Sequence, residues 1–185
     1  MYLKKFSYTP SSPRNSKASI YGELKSSSYK VKTSKNKPYF IEVNEFEHNV
    51  FMIKFHPKNL THSKDRYKMR NQKTFELTRL ISTCIKLAFE ILSDNPDATF
   101  GFIGQWDDVD VERKSKVSQR FRIYKKAILS IIPKANNYAF KFYEVIELNA
   151  FFVVPSHIDF SIIETYLEHK FNPFKQDLRM PNPDS

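Results

Sequence analysis

The chain has 185 residues, 41% of them hydrophobic, with 17 Phe and 10 Tyr, which is enough for one domain around one core and excludes disorder throughout. Its three glycines (Gly22, Gly101 and Gly104) and its single cysteine, Cys84, exclude a P-loop, a dinucleotide-binding fingerprint, an internal disulfide and a multi-cysteine zinc site. The formal charge of +10 is uneven: residues 1–38 hold nine basic residues and one acid, a net of +8, leaving +2 for the rest.

Residues 1–37 mix these lysines with Ser, Asn and Pro and show little hydrophobic period. They read as a basic, flexible N-terminal arm with a short strand near Ser19–Leu24. Such an arm either contacts phosphate backbones by counterion release or simply keeps the chain solvated. No apolar stretch follows the first basic residues, as a secretory signal requires, and no run reaches the roughly 18 apolar residues of a membrane span. A cytoplasmic protein without membrane attachment is expected.

From Pro38 the pattern tightens. Tyr39–Phe46 and Val50–Phe55 read as two strands joined at Glu47-His48-Asn49, with Phe51, Ile53 and Phe55 on one face. Lys64–Arg70 fits a third strand or a loop. Over Thr74–Leu92 apolar residues recur at three and four, from Leu77 and Leu80 to Ile91 and Leu92, which predicts a core helix with Cys84 as a buried, inert thiol. Ala98–Ile103 predicts a buried strand, and Val117–Ile132 an amphipathic helix ended by Pro133. Tyr138–Ile146 and Asn149–Val154 form a second hairpin, and Asp159 caps a last helix through Phe160, Ile163, Tyr166 and Leu167. The fold class is α+β. An antiparallel or mixed sheet, built from two hairpins and a central strand, packs against about three helices in a single domain over 38–172. Residues 173–185 form an irregular tail.

The unit from Phe100-Gly101-Phe102-Ile103-Gly104 to the helix at Ser118 is where a site is sought, because buried strand, acidic loop and clustered cations converge there. Arg120 projects into the apolar arc of its helix one turn before Tyr124. An Arg drawn toward a core needs an anion or a set of acceptors. Arg120, Arg122 and Tyr124, with Lys125 and Lys126 beside them, therefore form the candidate nucleic-acid or anion site. The alternative is an internal pair between Arg120 and Asp107, Asp108 or Asp110. The loop from Gln105 to Glu112 holds four carboxylates in six residues but lacks the spacing of an EF-hand, and no metal or other cofactor is expected. Trp106 either folds onto the core or presents a partner surface. Five scattered histidines form no zinc pair. His56 or His157, each at a strand end, would combine with Arg120 in a ribonuclease-like cleft, His moving a proton and Arg meeting charge on phosphate.

The Phe-x-Phe-x-Gly strand, Phe100–Gly104, followed by Ser-x-Arg-x-Arg-x-Tyr, Ser118–Tyr124, and Ile128, resembles small bacterial α+β proteins of toxin–antitoxin-like or defence loci. The loop between the two parts is longer here and richer in acids. The resemblance implies an accessory or defence-type role and assigns no catalytic residue. Three functions follow: macromolecular binding, to nucleic acid through the arm and helix 117–132 or to a protein partner; a metal-independent ribonuclease-like toxin; or a purely protein-binding subunit.

Overall fold

The computed structural model describes residues 6–11, 23–33, 38–63, 74–104, 116–132 and 139–171. Seven strands form one sheet: β1 (Tyr8–Pro10), β2 (Lys25–Lys32), β3 (Pro38–Phe46), β4 (Val50–Pro57), β5 (Thr99–Ile103), β6 (Phe140–Val145) and β7 (Ala150–Pro155), in the order β1-β2-β3-β4-β5-β7-β6. Among the described residues the α-helices are α1 (Thr74–Asp94), α2 (Gln119–Ile131) and α3 (Phe160–Phe171). All neighbouring strands are antiparallel except β4 and β5. The parallel pair arises because α1 carries the chain back between those two strands, and a crossover of that length allows what a tight hairpin cannot.

Strand alternation divides the core in two. Tyr39, Ile41 and Val43 of β3 and Phe51, Ile53 and Phe55 of β4 face α1 and α2. They join Leu80, Cys84, Phe121 and Ile128 in the larger apolar cluster. On the opposite face Phe46, Val50, Met52 and Phe152 meet Phe160, Ile163 and Leu167 of α3 in a smaller cluster. The sheet is thus sandwiched between helices, and α1 repays its helical period by burying Leu80, Ile81 and Cys84 almost completely. Burial pushes the Cys84 thiol well above its ordinary range, as an inert core thiol requires.

The hairpins form where alternation predicts them, and their turns carry left-handed residues, His48 and Asn49 in the first and Asn149 in the second. The amide of Ser161 donates to Asp159 Oδ1 at 3.0 Å at the start of α3 and holds that carboxyl below its usual range.

One expectation needs correcting. Two parts of the segment read as a flexible arm, residues 8–10 and 25–32, are strands of the sheet, and β2 pairs with β3 at eight successive positions. The strand starts at Lys25, after the exposed Leu24; of the short strand expected near Ser19–Leu24, residues 19–22 lie outside the described residues and Glu23 and Leu24 are not in a strand. The segment hides its strand because only Tyr29 and Val31 turn toward the core; its other face carries Ser26, Ser28, Lys30 and Lys32. Residues 64–70 and 173–185 also lie outside the described residues. No helix among the described residues is long and apolar enough to cross a membrane.

Candidate functional site

The strand–loop–helix unit closes on itself. Ser118 caps α2, its Oγ accepting from the Phe121 amide at 3.1 Å. The Ser118 amide donates to Asn149 Oδ1 at 3.0 Å, while Asn149 Nδ2 donates to the carbonyl of Gly104. The Gly104 amide returns a bond to the Asn149 carbonyl at 2.9 Å. A Cβ on Gly104 would lie 2.5 Å from Ser118 Oγ and 2.6 Å from the Phe121 nitrogen, so only glycine permits this approach. Asn149 is 2% exposed and left-handed, φ 49°. It ties the end of β5 to the start of α2. Helix N-termini attract anions through unpaired amides, but here Gly104 and Ser118 occupy that end.

The five residues expected to bind an anion do not converge. Tyr124 is buried between Phe55 and Phe102, ring centroids 5.9 and 6.4 Å away. Burial pushes its hydroxyl up to about 12, opposed by the nearby Arg120. Arg120 is half-buried on that flank. Lys125 turns to the sheet edge, its Nζ 2.6 Å from Glu144 Oε1. Arg122 and Lys126 are exposed one turn apart on the outward side. Trp106 and the acids at 107, 108, 110 and 112 lie outside the described residues. Among the described residues no group of three or more His, Cys, Asp or Glu is arranged to hold a metal.

The histidines separate as well. His56 is fully buried; its Nδ1 donates to the Pro57 carbonyl at 3.0 Å and its Nε2 lies 3.1 Å from Glu42 Oε1. It alternates with Phe55, the residue that meets Tyr124, so the sheet stands between its ring and α2. His157 is exposed and paired with Asp97 at 2.9 Å. It follows β7, whereas Ser118 is bound at Asn149 before β7, and six residues of strand span about 20 Å. Neither histidine shares a cleft with Arg120. His48 and His169 flank Tyr166 in an open surface groove of about 500 Å³ between the first hairpin turn and α3.

A different group is assembled on the sheet itself. The apolar cluster beneath α3 ends at Phe46, Val50 and Met52. Beyond it the register aligns Ser28, Glu42 and Lys54 across β2, β3 and β4, and next to them Lys30, Phe40 and His56. Asn44, 6% exposed, accepts from Ser26 Oγ at 3.0 Å and donates to Glu23 Oε1 at 3.1 Å. Lys30 and Lys32 are exposed; Ser28, Phe40, Glu42 and Lys54 are half-buried. This grid, apart from His56, escapes sequence reasoning centred on helix 117–132. Its signal was the period-two spacing of Phe40, Glu42 and Asn44 opposite the apolar Tyr39, Ile41 and Val43: a strand apolar on one face and mostly polar on the other.

No family model, no curated protein and no solved structure matches this chain.

Proposed function

We propose that the protein binds nucleic acid through its basic N-terminal segment, with the strand β2 contributing to the contact. The observation that carries this reading is the pair Lys30 and Lys32, exposed on one face of a strand that is locked into the sheet. They belong to a segment that holds +8 of the net +10. On that face the three lysines Lys30, Lys32 and Lys54 outnumber the two acids Glu42 and Glu23, so the local sign is positive. Phosphate contacts by lysine release counterions and give affinity that falls with salt. Fixing the lysines on a strand lowers the ordering cost that a free tail would add.

Helix α2 takes no part in this contact. It packs against the other face of the sheet, with Tyr124 on Phe55, so Arg122 and Lys126 do not share a surface with Lys30 and Lys32. The test is anisotropy of a labelled oligonucleotide across a salt series. Lys30→Ala with Lys32→Ala should lower affinity and reduce the slope of log affinity against log salt by about one per lysine. Arg122→Ala with Lys126→Ala should leave both unchanged. No binding at about 50 mM salt, where phosphate contacts are strong, would overturn the reading, as would binding indifferent to the β2 lysines.

A further inference from the structure

Resting on that reading, we infer that the nucleic acid is single-stranded and that Phe40 is the platform on which an unpaired base stacks. Phe40 lies on the central of three strands, with Lys30 directly across on β2 and His56 directly across on β4. It is half-buried on the face where Lys30 and Lys32 are exposed. The ring is supported from the side: the His56 ring, 5.9 Å away and tilted by 51°, is itself held by Pro57 and Glu42. An aromatic side chain held in one orientation and rimmed by lysines two residues apart, about 7 Å along a strand, offers a stacking surface beside cations for the backbone. A sheet face of this kind suits bases whose π-faces are open, which only unpaired strands present. Reading base edges in a duplex would need an element to enter a groove. Helix α2, with Arg122 and Lys126 exposed, lies on the opposite face, its N-terminus capped by Ser118 and closely approached by Gly104.

The test compares the full chain with labelled oligouridylate, oligothymidylate and a duplex of the same length. Single strands of RNA or DNA should bind more tightly than the duplex. Phe40→Leu should lower single-strand affinity roughly tenfold while leaving duplex affinity and the salt slope unchanged. Phe40→Tyr, which keeps the ring, should bind as wild type does. A measurement on the unaltered protein guards against a misfolded variant: iodouracil-substituted single strands should photo-crosslink within β3, located by mass spectrometry of the digested complex. Single and double strands bound alike, with crosslinks elsewhere or no effect of Phe40→Leu, would overturn this inference and leave the nucleic-acid reading standing. Failure to bind any of the three probes would overturn both.

Discussion

A single side chain, Asn149, joins three segments distant in sequence. It bonds the carbonyl of Gly104, 45 residues back, and the amide of Ser118, 31 residues back, from a left-handed backbone that most residues adopt at a cost. Asn149→Ala strands a buried carbonyl and a buried amide and should destabilise the fold by about 2–4 kcal/mol, a sum of unmet hydrogen bonds and left-handed strain. Asn149→Gly relieves the strain alone, so in urea titrations it should fall between wild type and Ala. Equal losses for both would show that backbone strain contributes nothing. Gly104 and Ser118 stood out in the sequence as the ends of a motif, but their purpose did not. Asn149 reads there as the first residue of the strand to Val154, because the contact that gives it meaning is made only when β5 and β7 pair.

At the level of elements, legibility follows how many side chains each one buries. Helix α1 was plain, since its stripe of Leu80, Ile81, Cys84 and Ile85 is buried along one face; Leu80→Ala should cost about 2–5 kcal/mol in denaturant titrations. The hairpins were plain because β3 and β4 alternate. β2 was not, for it gives the core only Val31 and part of Tyr29, and its remaining positions are Ser and Lys. Its importance is nonetheless visible in the contacts around it. Val31 is 0% exposed, Phe6 is 5% exposed with the Arg79 guanidinium 4.0 Å over its ring, and the Phe6 amide donates to Thr83 Oγ1 at 3.1 Å. Tyr8 binds Glu90 of α1. Deleting residues 1–33 would bare the hydrogen-bonding edge of β3 and uncover its apolar face. The truncated chain should lose near-UV dichroism or associate. A monomer with the wild-type near-UV spectrum would show that β3 stands as an edge and that the segment is dispensable to the fold.

Across the whole molecule, the sheet separates two environments, and the larger one is vulnerable to alkali. Tyr39 of β3 and Tyr124 of α2 both enter the core shared with α1. Burial, and then the Glu76 carboxylate, pushes the Tyr39 hydroxyl up to about 12; burial, against the pull of Arg120, does the same for Tyr124. Both are thus raised above the ordinary tyrosine value near 10. A group whose folded value is raised holds its proton more tightly in the folded state. Its contribution to stability is therefore complete below about pH 10 and is lost as pH climbs toward 12. Unfolding midpoints in urea should be level from neutrality to about pH 9 and then fall steeply. Tyr124→Phe removes one ionisable hydroxyl and keeps the ring between Phe55 and Phe102. Its midpoint should decline less steeply than wild type across that window while differing little at pH 7. A parallel decline of wild type and Tyr124→Phe above pH 10 would mean that the Tyr124 hydroxyl ionises as freely in the fold as in the open chain.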